Sequence, residues 1–141
     1  MSSFNAYLFF DGNAAEAMPF YKSVLGGKLE VMTYAQMPGA EADKLSATSA
    51  ARVMHACLSF EHGALMASDD MEGKPYDRMQ GFSLTLNYDQ VPEAERVFNA
   101  LAEGGTVTMP LAKTFWAERF GMCKDRFGTP WMVNAGMSKP A

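Results

Sequence analysis

Apolar positions along this chain change period several times, and each change marks an element. Phe4–Phe10 is an aromatic-rich run that stops at Asp11-Gly12, the pattern of a strand ending in a turn. Beyond it Ala17, Phe20, Tyr21 and Val24 recur at helical spacing. Asn13 with Glu16 three residues on predicts a capping box at the start of that helix, and Gly26-Gly27 predicts its stop. Pro19 inside the stripe removes a backbone hydrogen bond and predicts a bend. Lys28–Met37 follows as a second strand, and Arg52–Phe60 and Ala64–Asp69 as two more, joined by a tight turn at Glu61-His62-Gly63. Between them Pro38–Ala51 is small, polar and acidic, with Leu45 its one apolar anchor, and is expected to be a long loop acting as a lid. Asp70–Gln80 is read as a polar link.

The second half repeats this order. In Phe82–Tyr88 the residues Phe82, Leu84, Leu86 and Tyr88 alternate with Ser83, Thr85 and Asn87, a strand with one buried and one polar face. Asp89 is expected to cap the next helix, with Pro92 in its first turn and Ala94, Val97, Phe98 and Leu101 as its buried stripe. Gly105–Met109, Ala117–Lys124 and Pro130–Asn134 complete the strands. Glu93-Ala94, Val97-Phe98, Leu101 and Gly104-Gly105 echo Glu16-Ala17, Phe20-Tyr21, Val24 and Gly26-Gly27, and Arg126-Phe127-Gly128 echoes Glu61-His62-Gly63. A period near half the chain predicts two modules and not a solenoid. The fold class is therefore α+β: two βαβββ modules in tandem, about 1–70 and 81–135 of a single domain, with curved, mostly antiparallel sheets around a central cleft.

Composition narrows the function classes. The chain of 141 residues is 48% hydrophobic and 20% charged, with a net charge of −4. No Lys/Arg run is present, which argues against nucleic acid as a partner. No stretch approaches the roughly 20 apolar residues that span a membrane, and no signal pattern opens the chain. Cys57 and Cys123, without CxxC spacing, read as reduced thiols of a cytoplasmic protein.

Three stretches carry a family resemblance: YLFFDGNAAEAMPFYKSVLGG at 7–27, MHACLSF with ALMASDD within 54–70, and TFWAERFGMCKDRFGTPWMVN at 114–134. In these the chain resembles the vicinal oxygen chelate superfamily of glyoxalases, bleomycin-resistance proteins and extradiol dioxygenases, and more narrowly its PhnB-like branch. Enzymes of the superfamily hold a divalent metal through His and Glu on the first and fourth strands of each module. Carried over, those positions fall on Asn5 or Tyr7, Ala67, Phe82 or Ser83, and Met132, none of them a His, Asp or Glu. The resemblance thus implies a fold without the catalytic metal, and no cofactor is expected. Some PhnB-like proteins are described as related to a ubiquinone methyltransferase, but the chain has no strand followed by a glycine-rich turn for a nucleotide cofactor.

What remains is a binding wall. Strand parity puts Val53, His55, Cys57 and Ser59 on the cleft side, opposite Met54, Ala56, Leu58 and Phe60. His55 is the one acid/base candidate, against the plainer reading of a structural hydrogen bond. Cys57 lacks an orienting group for a nucleophile. His62 belongs to a turn, Trp131 to the core, and Asp69, Asp70 and Glu72 to a solvated linker. Phe115-Trp116 stands where an aromatic pair roofs a pocket or plugs a sheet end, and the twelve methionines suit an adaptable interior. The residues expected to line the ligand site are Tyr7, Phe9, His55, Cys57, Ser83, Thr85, Trp116, Phe120 and Met132. The expected protein is a homodimer that binds an unknown small molecule. Its alternatives are a metal-dependent isomerase, lyase or dioxygenase recruiting His55 and Asp69, and a non-catalytic dimeric interaction protein.

Overall fold

The computed structural model describes residues 2–37 and 44–137. The chain forms two compact units, Met1–Arg78 and Met79–Ala141. The first contains β1 (Ala6–Phe10), α1 (Ala14–Leu25), β2 (Lys28–Thr33), a single 3-10 turn (Tyr34–Gln36), α2 (Ala47–Ala51), β3 (Val53–Phe60) and β4 (Gly63–Asp69). The second contains β5 (Leu84–Tyr88), α3 (Val91–Ala102), β6 (Thr106–Ala112), β7 (Ala117–Lys124) and β8 (Pro130–Met137). The sheets run β1-β4-β3-β2 and β5-β8-β7-β6, with the outer pairs β1/β4 and β5/β8 parallel and the rest antiparallel. Two four-stranded mixed sheets, each with one long helix on it, make the α+β tandem that the repeat predicts.

Each sheet buries one face under its helix. Leu8, Phe10, Ala56, Leu58, Leu65 and Ala67 pack against Ala14, Ala17, Met18, Tyr21 and Val24 of α1. In the second unit Leu86, Trp131, Val133 and Ala135 meet Ala94, Val97, Phe98 and Leu101 of α3. Gly121 lies under that helix, and a Cβ there would stand 2.9 Å from the Phe98 ring. The double glycines have a second role besides stopping a helix. A Cβ on Gly27 would collide with the Ser59 carbonyl, and one on Gly105 with the Lys124 carbonyl, so both modules need glycine where the chain passes the end of the neighbouring strand.

Several expectations are corrected. Asn13 makes no side-chain cap bond. The N-terminus of α1 is satisfied instead by Asp69, whose Oδ1 accepts from Gly12 N at 2.9 Å and Ala14 N at 3.0 Å. Its Oδ2 accepts from Val53 N at 2.8 Å, so Asp69 is 2% exposed and is no part of a solvated linker. A carboxylate outcompetes a neutral amide at the positive end of a helix, and one acid here serves three elements. The helix of the second unit is capped at Gln90 and not at Asp89. The helix expected around Pro19 does continue through it, from Ala14 to Leu25. Within Pro38–Ala51, residues 38–43 lie outside the described residues, but Ala47–Ala51 is a helical turn, not loop. Its N-cap Ser46 and Ser49 both bond Glu72 through their hydroxyls. A register shift at Met32/Thr33 reverses the parity of Val53, which is buried on the helix side although His55 and Cys57 keep theirs.

Removing the Asp69 carboxylate leaves three backbone donors unpaired, two of them buried. Asp69→Ala is expected to destabilise the fold by about 3 kcal/mol. Asp70→Ala, next in the chain but bonded only through its backbone, should change stability by about 0.5 kcal/mol or less. Urea unfolding of the two variants checks this, and equal losses would contradict it.

Candidate functional site

The face of each sheet turned away from its helix carries side chains that the fold does not consume. In the first unit register places Phe9 beside Ser68, and Tyr7 beside Met66, which is itself beside Cys57. His55 stands two residues from Cys57 on the same strand, with Met32 opposite it on β2. The Tyr7 hydroxyl lies 3.2 Å from His55 Nδ1, and the rings of Phe9 and His55 have centroids 5.2 and 5.8 Å from that of Tyr7. Because β4 separates β1 from β3, the Tyr7–His55 contact arches over it. Tyr7 is 40% and Phe9 53% exposed, high values for large rings. Tyr76 closes the free edge of β1 by donating to the Phe9 carbonyl at 2.7 Å, and burial raises its phenol above its ordinary 10.0. Burial likewise raises Tyr34, whose hydroxyl donates to the Asp69 carbonyl at 3.4 Å.

In the second unit the corresponding face holds Thr85 beside Met132, which is beside Met122, and Asn87 beside Asn134, which is beside Phe120. The amides form a short relay: Trp116 Nε1 donates to Asn134 Oδ1 at 3.2 Å, and Asn134 Nδ2 donates to Asn87 Oδ1 at 3.1 Å. Trp116 stacks edge-on against Phe120 at 5.2 Å and against the 92% exposed Phe115 at 4.7 Å. A cavity of about 300 Å³ opens at one end of this face, with Ser83, Phe82, Thr108, Met122 and Lys124 among its walls.

The expected site residues therefore divide into two sets. Tyr7, Phe9, His55 and Cys57 come together in the first unit, and Thr85, Trp116, Phe120 and Met132 in the second. Ser83 precedes β5 and reaches only the cavity at the sheet end. Asn87 shares the polar face expected for it with Thr85, while Met66, Ser68, Asn134 and Met122 share these faces and were missed, although counting by two along β4, β7 and β8 would have found them. Ala67 is corrected: it is fully buried on the helix side, and the outward neighbours on β4 are Met66 and Ser68. Asp69 lies with Phe10 on the helix side of the sheet, away from His55, so it cannot join His55 on a metal. Among the described residues no three His, Cys, Asp or Glu side chains converge. The phenol, hydroxyl and thioether groups at the superfamily's ligand positions do not fit a divalent zinc, nickel or iron ion.

A fold of paired βαβββ modules with such open faces defines the vicinal oxygen chelate class. The family model described as 3-demethylubiquinone-9 3-methyltransferase matches residues 2–134, and the chain belongs to that PhnB-like family of the superfamily. It is 34% identical to Protein YjdN of Escherichia coli (strain K12), with 95% of each chain covered. Protein PA1353 from Pseudomonas aeruginosa is 45% identical over 98% of this chain and 100% of its own, with a TM-score of 0.88. A putative 3-demethylubiquinone-9 3-methyltransferase, PhnB protein, from Bacillus cereus is 25% identical over 95% and 99%, with a TM-score of 0.74. At 13% identity and a TM-score of 0.62, a glyoxylase/bleomycin resistance protein/dioxygenase domain from Frankia sp. EAN1pec, covering 96% of each chain, shares the fold alone.

The two thiols differ in a way that can be measured. Burial, with Asp125 nearby, pushes Cys123 from its ordinary 9.0 up to about 11, whereas Cys57 lies half-buried on the open face. A thiol held neutral by the fold adds stability below its ordinary value and loses it as pH rises through the folded value. Stability should thus fall between pH 9.0 and about 11, less steeply in Cys123→Ala. Iodoacetamide at pH 8 should label Cys57 and spare Cys123 until the chain is unfolded. Labelling of native Cys123 would contradict the assignment.

Proposed function

We propose that this is a small-molecule-binding protein that uses the open sheet faces as its ligand walls. The observation that supports this most is the exposure of large rings and thioethers, with Tyr7, Phe9 and Met32 standing on one face that no helix covers. Exposed apolar patches of this kind mark binding surfaces, and the few polar groups among them, His55 with Tyr7 and Asn134 with Asn87, fix orientation. Methionine and aromatic walls favour a ligand with a flat apolar body and one or two hydrogen-bonding groups.

Methyl transfer, which the family's description names, is not the reading proposed. The strand-to-helix turns Asp11-Gly12-Asn13 and Asp89-Gln90 are not glycine-rich, and the amides of Gly12 and Ala14 in the first are taken by Asp69. No helix of the described residues is long and apolar enough to cross a membrane. The free thiols Cys57 and Cys123 suit a reducing compartment, and the cytoplasm is the proposed location.

A thermal-shift screen with aromatic and phosphonate-like compounds tests the reading, since a ligand of the folded state must raise its stability. Compounds that raise Tm in the wild type should lose most of that effect in Tyr7→Ala and Phe9→Ala. A screen without any shift, or shifts that both variants retain, would overturn the proposal. Homodimerisation belongs to the same reading, because the outer strands β2 and β6 leave exposed edges that closed two-fold pairing covers. Light scattering at tens of micromolar should give twice the 15.4 kDa chain mass, and a monomer mass would contradict it.

A further inference from the structure

We propose that the open face of the first sheet carries a soft-metal site for monovalent copper, formed by His55, Cys57 and Met66. The donors are neighbours by register. Cys57 and Met66 stand directly opposite on β3 and β4. Opposite residues have Cβ atoms about 4.5–5.5 Å apart. His55 and Cys57 are two residues apart on one face, about 6.7 Å along the strand. Side chains of this length close such gaps onto one ion.

The position of the imidazole supports the same point. Its bond to Tyr7 draws the ring across β4, towards the strand that carries Met66. That bond engages Nδ1 and leaves Nε2 as the ring nitrogen for a metal. A ligating histidine that donates its other N–H to a fixed oxygen is the usual second-shell arrangement, which assigns Tyr7 a positioning role. Glu30, the other cross-strand neighbour of Cys57, lies 3.5 Å from Lys28, and the Ser59 hydroxyl lies 3.9 Å from Cys57 Sγ.

Ligand type selects the ion. One thiolate, one imidazole and one thioether form a soft set, which favours monovalent copper over zinc or a hard cation. Zinc would need further nitrogen, oxygen or thiolate donors, and the described residues bring no third such group here. Binding exchanges the Cys57 thiol proton for the metal, releasing one proton to solvent with no change in copper oxidation state. This goes beyond the organic-ligand reading, since copper can bind whether or not any aromatic compound does.

The test is an anaerobic titration of the reduced full-length protein with Cu(I) in competition with bicinchoninate. The wild type should take up one equivalent, with near-ultraviolet thiolate-to-copper absorption and release of one proton. Cys57→Ser should abolish both signals, and His55→Gln and Met66→Leu should each weaken binding about tenfold or more. Tyr7→Phe should weaken it less, and Cys123→Ala should leave it unchanged. Circular dichroism of each variant separates loss of the site from loss of fold. No competitive uptake by the wild type would overturn the assignment. So would an equivalent retained in Cys57→Ser, or an affinity unchanged in folded Met66→Leu.

Discussion

A buried carboxylate that answers three donors is the constraint on which each module depends. In the first it is Asp69, at the end of β4, which holds the turn into α1 and the start of β3 at once. Ala135 takes the equivalent place in the second module, paired with Tyr88 as Asp69 is with Phe10. There the task passes to Asp125 in the β7–β8 turn, which accepts from Phe127 N, Thr129 N and the Trp131 indole at 2.8, 3.1 and 2.8 Å. An acid withdrawn from water is tolerated only when its lone pairs are filled, and an unfilled donor left behind is expensive. Both acids therefore fix geometry more than they add net stability.

That rigidity has a functional consequence. With the helix side of each sheet closed by Phe10, Tyr21, Phe98 and Trp131, the opposite side is free to carry side chains chosen for something other than packing. It carries rings, thioethers, one imidazole, one thiol and a pair of amides. Apart from Phe115 and Trp116, which precede β7, these sit on strands, so their spacing is set by the sheet, a property suited to recognition of a small rigid partner.

Much of the fold was legible because its signals are local or periodic. The helical stripes, the double glycines, the turn at Gly63 and its echo at Gly128 gave the element order directly. The capping of α1 was not legible, because the cap comes from Asp69, more than fifty residues away, while Asn13 offered a false local partner. Val53 was assigned to the wrong face because a bulge between β2 and β3 is invisible to strict alternation. Ala67 was misplaced because counting from a turn glycine errs by one, and one residue exchanges the faces of a strand. His55 and Cys57 were put on one face by parity, and register sets that face beside Tyr7 and Phe9. Met66 and Asn134 escaped because neither residue type announces itself; register places Met66 beside Cys57, and a side-chain hydrogen bond ties Asn134 to Trp116.

The central claim is that ligands meet the sheet faces opposite the helices, and methionine methyl groups report on it directly. A methyl-labelled sample titrated with a compound from the aromatic and phosphonate-like panel can be followed by carbon–proton NMR. Met66 and Met132 occupy the open faces, whereas Met18 is fully buried in α1 against its sheet and Met71 and Met137 lie exposed elsewhere. The account predicts shifts at Met66 or Met132 that saturate with ligand while Met18 stays in place. Shifts confined to Met71 and Met137, or none with any compound, would contradict it.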